Sequence, residues 1–242
     1  MNTRYALLFV AALSGLASGC GEAIDDFINS EHQGDFILGK VRGIAFNIAL
    51  RGVDVCLLDD QDQKTGCTQS DAGGEFVLHS LAQQSQHRIH MTTSGYWPLI
   101  GMIDTKRSVA GQPIWEPAML DNFVVDLQAR RVDETFAEGT GLLYFELQEP
   151  DGDEWKGAAD RQLFGEKLGE PYYFNDSSWL DKNRKSTASK GSAIFVNVKP
   201  GWYPIKLPPG CLPHWGFDLN EQGLLPTYVA AGTVTELNVR CR

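Results

Sequence analysis

The chain has 242 residues, 43% of them hydrophobic and 10% aromatic, and a formal net charge of −10. That is enough apolar material for a packed core, in one large domain or two small ones. The acidic balance argues against nucleic acid as a partner, because phosphate binding needs clustered Lys and Arg, and against a basic face for anionic lipid.

Residues 1–19 have the form of a secretory signal peptide. Met1-Asn2-Thr3-Arg4 is a short, positively charged start. Residues 5–16 are a nearly unbroken apolar run, and Ala17-Ser18-Gly19 supplies small residues before Cys20. A membrane-spanning helix needs roughly 20 apolar residues, so this run is too short to be one.

Leu16-Ala17-Ser18-Gly19-Cys20 resembles the lipobox of bacterial lipoproteins, with Ala17 where that family usually carries Leu. The resemblance implies cleavage before Cys20 and lipidation of its sulfur. Gly21, in place of Asp, implies sorting to the outer membrane or cell surface. Ala17-x-Gly19 also satisfies an ordinary signal peptidase, which would release a soluble protein. Cysteine arithmetic bears on the choice. The chain has five cysteines, Cys20, Cys56, Cys67, Cys211 and Cys241. Lipidation of Cys20 leaves two pairs, Cys56 with Cys67 and Cys211 with Cys241, for disulfides. No C-x-x-C occurs, and the spacings do not fit zinc.

Residues 20–35 are short and polar and are expected to form a tether. Residues 36–105 change to short β-rich runs with turns between them. Val53, Val55 and Leu57 alternate as one face of a half-buried strand. Asp59 to Asp62 and Asp71-Ala72-Gly73-Gly74 are turn material. Residues 106–138 are expected to form a connector with one helix. Val124, Val125, Leu127 and Val132 are its apolar positions, Asp121 or Asn122 its cap, and Arg130 and Arg131 its basic end. Residues 139–242 return to strands at residues 141–147, 191–203 and 233–239, so the same kind of unit is expected twice.

Gly39-x-Val41-x-Gly43, Gly52-Val53-x-Val55, Ser70-Asp71-x-Gly73-Gly74-x-Phe76-x-Leu78 and Gly95-Tyr96-x-Pro98 together resemble the carboxypeptidase regulatory-like domain. Gly191-x-Ala193-x-Phe195 through Pro200-Gly201-x-Tyr203 resembles it more loosely. The resemblance implies an all-β fold of two small antiparallel transthyretin-like sandwiches. It also implies a non-catalytic domain that binds, spaces or stabilises partners.

Candidate sites are few. His87-x-x-His90 places two imidazoles on opposite faces of a strand, and the expectation is a surface pair and no metal. Asp151-Gly152-Asp153-Glu154, with Asp160 beyond, reads as a hairpin tip, because the alternating pattern of a calcium loop is missing. Tyr172, Tyr173, Trp179 and Trp202, with Trp215, could stack a ligand or build a core. No nucleophile elbow, phosphate loop or zinc-protease motif is present, and no cofactor is expected.

The sequence therefore describes an exported, lipid-anchored, non-enzymatic envelope protein. Its membrane contact is the anchor at Cys20, and its partner is another protein or a glycan of the envelope. Two alternatives stand beside it: a glycan-binding module using the aromatics of the second unit, and a hydrolase whose site carries no recognisable motif.

Overall fold

The computed structural model describes residues 36–44, 47–79, 86–104, 115–151, 153, 155, 168–187, 191–214 and 218–242. The signal peptide, Cys20, the tether, Gly152, Glu154, Asp160 and Trp215 lie outside the described residues.

The fold is all-β with one helix, as its strand-rich sequence implies. One sheet carries the molecule. Its path runs β12 (Leu180–Asp181), β11 (Tyr172–Phe174), β13 (Ser192–Val198), β10 (Gly141–Gln148), β17 (Val234–Cys241), β8 (Leu99–Asp104), β7 (Gln86–Thr92), β4 (Asp54–Leu58), β5 (Lys64–Gln69). A further strand, β15 (Cys211–Pro213), pairs with β17 off this path. The segments expected as two units thus share one sheet. They join where the last strand, β17, lies parallel to β10 on one side and to β8 on the other.

Each face of the sheet carries its own apolar cluster. On one face, Val55, Leu57, Ile89, Met91, Leu142, Tyr144 and Ile194 meet β1 (Phe36–Lys40) and β6 (Glu75–His79) through Ile37, Phe76 and Leu78. The three-stranded β3 (Ile48–Ala49), β2 (Arg42–Gly43), β9 (Ala118–Met119) and helix α1 (Asn122–Arg131) cover the same side. On the other face, Met102, Leu143, Phe145, Phe195, Leu237 and Val239 pack against the antiparallel pair of β14 (Gly201–Ile205) and β16 (Leu225–Val229). Burying each large apolar side chain contributes about 1.5–3 kcal/mol. The alternation follows from the two-residue period of a strand: Leu142, Tyr144 and Val234 go one way, Leu143, Phe145 and Leu237 the other.

Three glycines of these strands, Gly39, Gly43 and Gly101, have packing reasons. The Phe76 ring lies 2.1 Å from where a Cβ on Gly39 would sit, and the Tyr96 hydroxyl 2.9 Å from one on Gly43. The Trp115 ring comes within 2.3 Å of the same point on Gly101 and meets Phe76 edge to face.

Helix α1 spans the expected segment. Asp121 is its N-cap residue but makes no side-chain cap hydrogen bond, and Arg130 and Arg131 occupy the last turn. Val125 and Ala129 are its buried side. Both disulfides form, Cys56–Cys67 and Cys211–Cys241. Each joins residues directly opposite across paired strands, β4 to β5 and β15 to β17. Their sequence separations of 11 and 30 correspond to roughly 3 and 4 kcal/mol of loop-closure entropy.

The histidines differ from expectation. His87 is buried and His90 half-buried, because packed layers cover both faces of the sheet that holds β7. Burial, aided by Lys64, pushes His90 down to about 4, so it stays neutral at physiological pH. Among the described residues no group of three metal-ligating side chains converges.

Candidate functional site

A concavity lies between α1 and the sheet face beneath it, with a volume of about 360 Å³. Its floor is Tyr144 and Glu146 of β10, Ser192, Ile194 and Val196 of β13, and Phe174 of β11. Its roof is Val124, Val125, Gln128 and Ala129 of α1. Ile44, Leu120, Phe136, Ser178 and Leu180 complete the wall. Ligand sites commonly have volumes of roughly 300–1,000 Å³, mostly apolar walls and a few placed polar groups.

The groove exists because α1 is fixed at its edges. Gln128 donates through Nε2 to the Ser178 carbonyl at 2.9 Å, and its Oε1 accepts from the Leu180 N–H at 2.8 Å. Arg131 lies 4.9 Å from the Trp179 ring centroid, a cation–π contact. Past the helix, Lys182 pairs with Asp133 at 2.7 Å. Tyr172 donates its hydroxyl to Glu134, whose other carboxylate oxygen accepts from Asn197 at 3.3 Å. Burial and the Glu134 carboxylate push the Tyr172 phenol up to about 12. Asn197, at φ 56°, also holds the Ala137 N–H at 2.8 Å.

Register sets the polar groups of the floor, Glu146 and Ser192, and those beside them on β17, which do not line the groove. Across β13, β10 and β17, Ser192 faces Glu146 and Glu146 faces Asn238. One step along, Ile194 faces Tyr144 and Tyr144 faces Glu236. Directly opposite residues share a face at roughly 4.5–5.5 Å, so two glutamates and an asparagine lie together there. Tyr144 Oη lies 3.5 Å from Ser192 Oγ.

Glu236 is 8% exposed. Its Oε2 accepts from the Ala118 N–H at 3.3 Å, and Asn238 hydrogen-bonds to it. Desolvation, and then the neighbouring Glu146, push Glu236 up to about 8, against smaller opposing contributions from these hydrogen bonds and from Arg42. Glu236 is therefore mostly protonated at neutral pH.

The four aromatic candidates do not form one platform. Tyr172 is half-buried on the helix side of the sheet, while its neighbour Tyr173 points to the opposite face and is 2% exposed. Trp179 is held by Arg131 at the end of α1. Trp202 lies on the far side of the sheet, 53% exposed, 5.2 Å from the Tyr228 ring. Beneath it Arg88 stacks on Tyr228 at 4.4 Å, and both Arg88 and the Tyr228 hydroxyl bond to Asp62. That cluster fastens the β14–β16 strand pair to the turn between β4 and β5.

Glu146 and Ser192, which line the groove, did not stand out in the sequence. Each occupies an alternate position in a strand, where an exposed polar residue and one lining a groove look the same. Only the placement of α1 over that face separates them.

No protein-family model matches the chain, and no curated protein matches it. Solved structures that match include the Bacillus anthracis TIE protein, at 12% identity and a TM-score of 0.28, covering 86% of this chain and 34% of that one. The shaft pilin SpaA of Lactobacillus rhamnosus GG matches at 8% identity and a TM-score of 0.29, over 86% and 98% of the two chains. BcpA, the major pilin subunit of Bacillus cereus, matches at 9% identity and a TM-score of 0.26, over 86% and 99%. The chain thus spans about a third of the Bacillus anthracis protein. Likeness at this level carries no argument about function, and the all-β assignment stands on the strands themselves.

Proposed function

We propose that this chain is an exported, lipid-anchored envelope protein that binds another envelope component without catalysis, in the groove under α1. The observation that carries the reading is the groove itself. It is a largely apolar space of about 360 Å³, roofed by a helix that Gln128 ties to its rim, with a few polar groups, Glu146 and Ser192 on the floor and Gln128 and Ser178 at the roof and wall. Among the described residues no histidine or cysteine lines it. The lipobox-like residues 16–20 supply the anchor, and the regulatory-like texture of residues 36–105 agrees with a binding role.

The groove is tested with N-phenylnaphthylamine, an uncharged dye whose emission rises in apolar surroundings. The wild type should bind it saturably. Val124→Trp, which fills the roof side of the groove, should lose at least about tenfold in affinity while melting within a few degrees of wild type. Unchanged binding in the well-folded variant would remove the groove from the function. The anchor is tested by the intact mass of protein extracted from host membranes, which should begin at Cys20 and carry acyl groups.

A glycan-binding reading keeps one specific support, the exposed Trp202 ring backed by Tyr228 and Arg88. A glycan array probed with wild type and Trp202→Ala would separate the two, since the groove reading predicts no array signal that depends on Trp202.

A further inference from the structure

The two disulfides are built alike and placed differently. Cys211–Cys241 joins β15 to β17, and both of its cysteines are buried in the apolar cluster behind the sheet. Cys56–Cys67 joins β4 to β5, the last strand on the path of the sheet. Among the described residues β5 pairs with β4 alone, and each of its residues except Thr68 is exposed, Cys67 included. Cys56 is 4% exposed. One end of this bridge is therefore reachable from solvent and the other is shielded. The bridge also closes the shorter loop, a separation of 11 against 30, so opening it costs the fold less.

The neighbours of Cys56 suit it to leave as a thiolate. His90 of β7 lies directly opposite Cys56, so its ring shares a face of the sheet with both cysteines. His90 Nδ1 is buried and has no hydrogen-bond partner. A neutral imidazole can carry its proton on that nitrogen and donate it to a thiolate. Two residues along the same face, Lys64 and Arg88 lie on either side of Leu58, and Arg88 is already paired with Asp62. Two residues the other way, the Asp54 carboxylate is held by Gln69 at 2.7 Å. Cations and donors near a thiol lower its pKa, and a thiolate of lower pKa leaves faster. We propose that Cys56–Cys67 is a redox site that exchanges with an external dithiol, with Cys67 attacked and Cys56 leaving beside His90. In the first step a thiolate of the dithiol attacks Cys67 Sγ, the S–S bond breaks, and Cys56 departs with the electron pair. The second thiolate of the dithiol then displaces Cys67, which leaves two thiols here and a disulfide on the partner. The two protons lost by the dithiol end on Cys56 and Cys67. Cys211–Cys241 stays closed throughout. The proposal does not depend on the groove.

The test treats the full chain carrying Cys20→Ser with dithiothreitol at neutral pH and without denaturant. Free thiols are alkylated at intervals and located by peptide mass mapping. Cys56 and Cys67 should become alkylated roughly tenfold or more faster than Cys211 and Cys241, because access and the leaving thiol set the rate. The near-UV circular dichroism of this two-thiol form should remain that of the folded protein. A monothiol reads the direction of attack: brief exposure to glutathione should leave its mixed disulfide on Cys67. His90→Phe keeps a ring and removes the nitrogens, so it should slow the first step severalfold while melting within a few degrees of wild type. Opening of both pairs at one rate, or of Cys56–Cys67 only in denaturant, would overturn the redox site. Glutathione on Cys56 would overturn the direction of attack, and an unchanged rate in His90→Phe would overturn the part given to His90.

Discussion

At the residue scale the most consequential side chain is Glu236. Its ordinary carboxyl value is 4.5, and in the fold it rises to about 8, chiefly through burial and secondly through Glu146. Between those values the folded protein holds a proton that the unfolded chain has released. Stability is therefore fullest below the ordinary carboxylate range and falls as pH rises to about 8, at up to about 1.4 kcal/mol per pH unit. Glu236→Gln keeps the shape and the neutral charge, so it should flatten that slope and be the more stable protein at about pH 8. Urea unfolding of both proteins at about pH 5 and about pH 8 checks this. Parallel pH dependence in the two would mean that Glu236 is ionised in the fold.

At the element scale, one Asx-opened turn occurs four times among the described residues, and two of the four join paired strands, β4 to β5 and β11 to β12. It starts at Asp59, Asp71, Asn175 and Asn220. In each, the Asx side chain accepts from the N–H two and four residues on: Gln61 and Gln63, Gly73 and Glu75, Ser177 and Trp179, Gln222 and Leu224. In each, the residue three on has positive φ: Asp62, Gly74, Ser178 and Gly223. This is a turn followed by a residue in the left-handed region, a common three-residue hairpin connection. Glycine meets that requirement freely, whereas other residues carry a cost of roughly 1–2 kcal/mol. The two exceptions divide by what their side chains touch. Ser178 engages α1 through its carbonyl, so Ser178→Gly should raise stability by about 1 kcal/mol. The Asp62 carboxylate takes Arg88 and Tyr228, so Asp62→Gly should lower stability by roughly 1–3 kcal/mol despite the freer backbone. Chemical denaturation of both variants checks the pair of signs. A gain for Asp62→Gly equal to that for Ser178→Gly would show that its contacts contribute nothing.

At the scale of the whole molecule, local elements were legible in the sequence and their assembly was not. The alternation of Val53, Val55 and Leu57, the Asp71 to Gly74 turn and the helix ending at Arg130-Arg131 follow from rules that act over a few residues, and the two cysteine pairs follow from cysteine count and proximity along the chain. The placement of β17 does not. Val234 to Val239 reads as a strand, but its insertion between β10 and β8, parallel to both, depends on partners about a hundred residues away. The burial of His87 and half-burial of His90 belong to the same level, because they depend on distant segments laid over the two faces of the sheet. The groove belongs to this level too, since it appears only when α1 is laid across β10, β13 and β11.

The central claim is that this groove is where the protein binds, and methyl-resolved NMR tests it most directly. With Ile, Leu and Val methyls labelled, N-phenylnaphthylamine is titrated into the full chain carrying Cys20→Ser. The account predicts saturable shifts concentrated on Val124, Val125, Leu180, Ile194 and Val196, which line the groove, with Leu225 and Val229 behind the sheet unmoved. Shifts concentrated on Leu225 and Val229, or spread over both clusters without saturation, would contradict it.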